Sequence, residues 1–220
     1  MSKHILIVVT STAKMGKEHG TGIWLTEFGE AYVEFNQQGY KITVVSPLGG
    51  KAPIDERSLQ GNTSQEILDT AKHLENTLKL DNMDDYSQYD AVFLPGGHGT
   101  MFDLPNNETL HRLIQNFYEN GKIIAAVCHG PAGLIGVTLS NGKPLVADKT
   151  VTAFTNQEER AANLDQFMPF LLETRLRELG ANFIATENWE NHVEVSETLI
   201  TGQNPQSTIS VCNEVIKQLE

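Results

Sequence analysis

The chain has 220 residues, of which 40% are hydrophobic and 20% charged, and this composition is typical of a globular protein whose core needs no disulfide or metal support. Its formal net charge of −12 argues against binding to nucleic acid or to an anionic membrane surface. The two cysteines exclude a disulfide framework, and no apolar run is long enough to cross a bilayer, so we expect a cytoplasmic protein with one domain over residues 1–220.

Short apolar runs alternate along the chain with segments of helical periodicity, and this order predicts an α/β fold with a mainly parallel sheet. The predicted strands are Ile5–Thr10, Lys41–Ser46, Ala91–Leu94, Ile123–Val127 and Thr150–Phe154. The predicted helices are Gly22–Gln38, Ser64–Leu78, Glu108–Asn120, Gly130–Gly136, Leu164–Leu179 and Gln206–Leu219. Ala181–Thr201 is expected to contain two or three short strands, and Pro47–Thr63 suits a lid or a dimer contact.

The predicted strand Ile123–Val127 leads directly into Cys128, His129 and Gly130. A strand followed by a sharp turn and a helix start is the outline of a nucleophile elbow, which lifts one side chain out at the carboxyl edge of the sheet. The start of a helix there would favour the thiolate form of the cysteine. The alternative is that Cys128 is only a small packing residue at the end of a buried strand.

A second glycine-rich turn, Gly96-Gly97-His98-Gly99, follows the predicted strand Ala91–Leu94. Its glycines permit positive φ and expose backbone N–H groups, which could bind a substrate oxyanion beside Cys128. The alternative is a simple turn. It is not a phosphate-binding loop of the P-loop type, since no Gly-Lys-Ser/Thr follows.

Glu27 lies on the first predicted helix between Trp24 and Phe28, which belong to the apolar stripe of that helix. A carboxyl group drawn towards such a surface tends to be protonated and can donate a hydrogen bond to a thiolate. The alternative is a solvated helix glutamate.

Five segments in this order resemble the ThiJ/PfpI superfamily, the class I glutamine-amidotransferase-like group with a flavodoxin-like three-layer fold: TGIWLTEF, LPGGHGTMFDL, AVCHGPAGL, TAFTNQEE and LITGQNPQS. The Cys-His-Gly and Thr-Gly-x-Trp-x-x-Glu pairings resemble its small heat-shock-chaperone and glyoxalase III-like branch. The resemblance implies a central, mainly parallel sheet with helices on both faces and, as a family property, a homodimer.

The resemblance also implies roles for individual residues. Cys128 matches the nucleophile, His129 the adjacent histidine and Glu27 the buried acid that bonds the cysteine. Gly96, Gly97 and His98 match the oxyanion- and substrate-binding loop. Glu159 matches a triad-like acid, and the neighbouring Glu158 is the alternative. The chain shows no clear counterpart of the family's metal ligands, so we expect no metal or other cofactor.

The implied activity is the conversion of methylglyoxal, a small 2-oxoaldehyde, to lactate without glutathione. Removal of early glycation adducts from proteins would use the same nucleophile. A holding chaperone or redox sensor is an alternative of another class, and the wider superfamily also contains cysteine peptidases.

Overall fold

The fold is built around a seven-stranded sheet, seen in a computed structural model that describes residues 2–17, 19–83 and 85–220. Its strand order is β10-β11-β7-β6-β1-β4-β5, and every neighbouring pair is parallel except β10–β11. These strands are β1 His4–Val8, β4 Lys41–Ser46, β5 Leu78–Lys79, β6 Ala91–Leu94, β7 Ile123–Val127, β10 Val193–Ser196 and β11 Leu199–Gly202. Two small two-stranded sheets pair β2 Lys14–Met15 with β3 His19–Gly20, and β8 Thr150–Val151 with β9 Asn182–Phe183.

Helices cover both faces of this sheet, because its central strands are apolar on both sides. Phe28 and Phe35 pack with Val211 on one face, and Leu113 and Phe117 pack on the other. The helices are α1 Leu25–Gln37, α2 Gln65–Asp69, α3 Thr100–Asp103, α4 Glu108–Glu119, α5 Asn156–Ala161, α6 Leu172–Glu178 and α7 Thr208–Leu219. The expected three-layer α/β architecture is confirmed. Within the described residues, no helix is both long enough and apolar enough to span a membrane.

The predicted helix Leu164–Leu179 is wrong in its first half. A 3-10 turn over Asp165–Phe167 is followed by extended chain, and α6 begins only at Leu172. The reason is Pro169, which disfavours helical backbone at Met168, whose ψ is 141°.

Two other predicted helices are shorter than expected. Ser64–Leu78 becomes α2 followed by a 3-10 turn over Thr70–Leu74, and Gly130–Gly136 becomes a 3-10 turn over Gly130–Leu134. Thr150–Phe154 does not join the main sheet: Thr150 and Val151 form β8, which pairs with β9. The next residue, Thr152, donates its N–H to the side-chain hydroxyl of Thr201 on β11, and not to the backbone of that strand. The expected short strands after residue 181 are confirmed as β9, β10 and β11.

Candidate active site

Cys128 lies directly after β7 in a left-handed backbone conformation, with a φ of +60°. Both of its backbone groups are fixed: its N–H donates to the Gly202 carbonyl at 2.9 Å, and its carbonyl accepts from the Phe154 N–H at 2.9 Å. Such a conformation is rare for a residue with a side chain and is commonest where the surrounding structure enforces it at a functional turn. The strand, sharp turn and side-chain placement predicted for an elbow are therefore present.

Two glycines let neighbouring loops come into direct backbone contact beneath Cys128. A Cβ atom on Gly130 would lie 2.0 Å from the Leu94 carbonyl oxygen. A Cβ atom on Gly97, whose φ is +104°, would lie 2.1 Å from the Gly22 carbonyl oxygen. Any side chain at either position would collide with backbone that has no room to move, so the carboxyl ends of β6 and β7 and the start of α1 are locked together at the site.

Glu27 projects from the first turn of α1 into the interior, where it is completely buried. Its Oε2 accepts the Gly96 N–H at 2.6 Å, while Oε1 has no oxygen or nitrogen partner among the described residues. The carboxyl group lies close enough to the Cys128 thiol for each group to affect the pKa of the other. Burial raises the pKa of Glu27 to about 8, and the contacts with Gly96 and Cys128 offset only part of this effect. Glu27 is therefore protonated at neutral pH, as its apolar neighbours in the sequence suggested.

The Cys128 thiol does not have the low pKa expected from the sequence. Burial is the largest cause and raises its pKa well above the ordinary value. An ionised Glu27 would raise it further, but the protonated Glu27 of neutral pH carries no charge. The expected helix start is only a five-residue 3-10 turn, and the side chain is 4% exposed. Burial thus favours the neutral thiol, and a neighbouring group would have to accept its proton for the sulfur to act as a nucleophile.

His129 provides such a group. Its Nδ1 lies 3.3 Å from Cys128 Sγ, and its Nε2 lies 2.6 Å from Glu159 Oε2. Burial alone would raise the pKa of Glu159, but its contacts with His129 and His98 outweigh this effect and lower the pKa below its usual range. Glu159 is thus ionised, and the three side chains form a cysteine–histidine–carboxylate row.

Glu158, the alternative to Glu159, faces away from this row. Its Oε2 accepts the Thr155 N–H in a capping box at the start of α5, and its Oε1 accepts from Asn204 and from the Trp189 N–H, both at 2.9 Å. The side chains of these two adjacent glutamates point in different directions from the first turn of α5. Glu158 bonds the chain segments that contain Trp189 and Asn204, whereas Glu159 contacts His129.

The loop Gly96–His98 borders the sulfur, as expected. The N–H groups of Gly97 and His129 donate to no acceptor within the described part of the chain. The His98 side chain contacts Glu159 instead of pointing freely towards a substrate oxygen, with Nε2 2.7 Å from Oε1. His98, His129 and Glu159 offer three ligand atoms within 4.8 Å, a set that suits a divalent metal. Their Nε2–O separations are those of direct hydrogen bonds, so these contacts account for the cluster without metal ligation.

A cavity of about 210 Å³ opens above Cys128. Several residues of its wall were not singled out in the sequence: Arg57, Phe154, Ala162, Leu164, Trp189 and Pro205. Trp24 and Trp189 both line the cavity. They are the two tryptophans in the sequence, and the rarity of this residue type could have marked them as candidate site residues. Arg57 belongs to the segment Pro47–Thr63, which is packed against the start of α1 through Pro53 and Asp55.

Comparison with known proteins places the chain among proteins of this architecture. Residues 20–218 match the model of the DJ-1/PfpI family. The glutathione-independent glyoxalase HSP31 of Saccharomyces cerevisiae is 30% identical, with 99% of this chain and 98% of the relative covered.

Two solved structures are similar over nearly the whole chain. Glyoxalase III of Candida albicans is 27% identical with a TM-score of 0.86, covering 98% of this chain and 96% of its own. The Rapid Encystment Protein 24 KDa of Francisella tularensis is 33% identical with a TM-score of 0.92, covering 99% of both chains. Together with the elbow at Cys128, these similarities identify the chain as a member of the DJ-1/PfpI family.

Proposed function

We propose that this protein is a glutathione-independent glyoxalase that converts small 2-oxoaldehydes such as methylglyoxal to 2-hydroxy acids. The observation that carries the proposal is the row Cys128–His129–Glu159, with Glu27 on the other side of the sulfur, at the base of a cavity. At about 210 Å³ the cavity is smaller than the roughly 300–1,000 Å³ of sites for drug-sized ligands, as suits a small aldehyde. The names of the yeast relatives, which are glyoxalases, agree with this chemistry.

In the first step the Cys128 sulfur adds to the aldehyde carbon and its proton passes to His129 Nδ1, 3.3 Å away. The ionised Glu159 stabilises the imidazolium that forms, as the acid does in other nucleophile–histidine–acid triads. The N–H groups of Gly97 and His129, which donate to no acceptor in the described part of the chain, would bind the aldehyde oxygen as it gains charge.

In the second step His129 passes its proton to the hemithioacetal oxygen and becomes neutral again. His129, or Glu27 in its ionised form, then removes the proton from the former aldehyde carbon to give an enediol, and a proton returns to the adjacent carbon. The product is a thioester on Cys128, which water hydrolyses to the hydroxy acid and the free thiol. One carbon of the substrate is oxidised while its neighbour is reduced, so the overall change is the addition of one water molecule.

The direct test is incubation of the purified protein with methylglyoxal in the absence of glutathione, with lactate measured by enantiomer. We expect lactate from the wild-type protein and none from Cys128→Ala, which should still fold because a smaller side chain replaces the thiol. Unchanged clearance of methylglyoxal by Cys128→Ala would refute the mechanism.

A second candidate, removal of early glycation adducts from peptides, is favoured by one observation. A wider cleft of about 530 Å³ adjoins the cavity and shares Trp24, Trp189 and Pro205 with it, leaving room for a chain attached to the aldehyde carbon. Comparing the decay of free methylglyoxal with that of a purified, preformed adduct distinguishes the two activities.

The resemblance to the family also supports a homodimer in the cytoplasm as part of the proposal. Light scattering on the purified protein tests the dimer, and fractionation of the cells that make it tests the compartment.

A further inference from the structure

A second hydrogen-bonded arm reaches Glu159 through Oε1, the carboxylate oxygen that His129 does not contact. It begins at Asp55, which is buried and pairs with Arg57 through the guanidinium Nε at 2.9 Å and through Nη2. Arg57 Nη2 also lies 3.3 Å from His98 Nδ1, and His98 Nε2 lies 2.7 Å from Glu159 Oε1. His98 thus connects Arg57, a residue of the cavity wall, to the row Glu159–His129–Cys128.

The chemistry of the guanidinium fixes the proton on His98. Arginine has only N–H donors and stays protonated, so His98 Nδ1 must act as the acceptor in its contact with Arg57. The single ring proton of a neutral His98 is then on Nε2, where it is donated to Glu159 Oε1. Burial lowers the pKa of His98 to about 4, and the nearby His129 and Arg57 act in the same direction, so the ring is neutral.

The same reasoning passes through Glu159 to His129. An ionised carboxylate has only acceptors, so its Oε2 receives the Nε2–H of His129 at 2.6 Å. The remaining nitrogen of a neutral His129, Nδ1, carries no proton and faces Cys128 Sγ. This is the tautomer that can accept the thiol proton.

We propose that Arg57 and His98 are positioning residues that keep the charge of Glu159 available to His129 and hold His129 in the tautomer that deprotonates Cys128. The inference rests on the proposed role of Cys128 as the nucleophile. Neither residue has to touch the substrate for this role.

Removing Arg57 shows what the arm contributes. The charged or titratable groups that face His98 are Glu159, His129 and Arg57. Without Arg57, His98 Nδ1 loses the donor that requires it to be an acceptor, so the neutral ring can carry its proton on Nδ1 and no longer donate to Glu159 Oε1. Glu159 is then held less firmly beside His129 Nε2, and Cys128 would lose its proton to His129 less readily.

The test measures the rate at which iodoacetamide alkylates Cys128, by mass spectrometry, as a function of pH in wild-type protein, Arg57→Met, His98→Gln and the double variant. Alkylation reports on the thiolate and needs no aldehyde turnover, so its outcome is separate from that of the glyoxalase assay. We expect Arg57→Met to lower the rate at least threefold, near pH 6 as well as near pH 8, because the loss comes from the His98 tautomer and not from its charge. His98→Gln should slow alkylation at every pH, since its flexible amide positions Glu159 less rigidly than the imidazole ring does.

The decisive comparison is within the His98→Gln background, where no imidazole remains to change its tautomer. There the addition of Arg57→Met should cause no further loss. A loss that persists in this background, or an Arg57→Met profile that coincides with the wild-type profile, would overturn the proposal.

Arg57→Met leaves Asp55 buried without its cation, so Asp55→Asn/Arg57→Met carries the same test if the single variant does not fold. It is expected to show the same loss near pH 6 and near pH 8.

Discussion

The buried carboxyl group of Glu27 should make the folded protein less stable as the pH rises, and Glu27→Gln should remove this dependence. The pKa of Glu27 is about 8 in the folded protein and 4.5 ordinarily, so between these values the folded state keeps a proton that the unfolded chain has lost. Stability from this group is therefore complete below pH 4.5, falls by about 1.4 kcal/mol per pH unit above it and levels off beyond pH 8.

The substitution isolates this effect because glutamine has nearly the same shape and no charge. Its carbonyl oxygen can still accept the Gly96 N–H, which bonds Oε2 at 2.6 Å in the wild-type protein. At pH 7 the accumulated loss in the wild-type protein is about 3 kcal/mol, so Glu27→Gln should be more stable by about that amount. The same variant should be less active, since a carboxylic acid beside the sulfur is replaced by an amide.

The assay is urea unfolding followed by circular dichroism between about pH 5 and pH 8, with linear extrapolation of the free energy of unfolding. Glu108→Gln is the matched control: it removes one charge from a side chain that is 89% exposed at the start of α4. It should change the free energy of unfolding by less than about 0.5 kcal/mol throughout. A difference between Glu27→Gln and wild type that stays constant over this pH range would refute the assignment of a protonated Glu27.

Glu159→Gln should reduce turnover by about 10²-fold or more with little loss of thermal stability, because it removes the charge that supports His129 as a base. Glu158→Ala should show the reverse, with a lower melting temperature and about 2 kcal/mol of lost stability, since it leaves buried donors unpaired. Mild peroxide should oxidise Cys128, which opens on the cavity, before the fully buried Cys212, as peptide mass spectrometry would show. Gly97→Ala should lower the free energy of unfolding by at least about 2 kcal/mol in the same urea assay, because its Cβ meets backbone.

The sequence predicted the elements around the nucleophile well, because local patterns determine them. The apolar run before Cys128 defines β7, and small residues after it define the turn. Hydrophobic periodicity predicts a helix less reliably where a single residue prevents helical backbone. Pro169 does so within the predicted helix Leu164–Leu179. An apolar run also cannot show which sheet a strand joins, and for this reason Thr150–Phe154 was placed wrongly.

Features of the site that depend on contacts between distant segments could not be read from the sequence. Glu158 and Glu159 have identical side chains, and only the direction of each on α5 separates their partners. The pKa of Cys128 depends on burial by residues from several loops, while the sequence showed only the turn beside it. Arg57 reaches His98 from 41 positions away along the chain.

The backbone contacts at Gly97 and Gly130 divide the site into a part that can vary and a part that cannot. Beneath the sulfur, any side chain at Gly97 or Gly130 would collide with the backbone of a neighbouring loop. The upper rim is made of side chains such as Trp24 and Trp189. Laboratory evolution towards bulkier aldehydes should therefore select substitutions at rim residues such as Trp24 and Trp189, and not at Gly97 or Gly130. Natural changes in substrate preference should occur at the same rim residues.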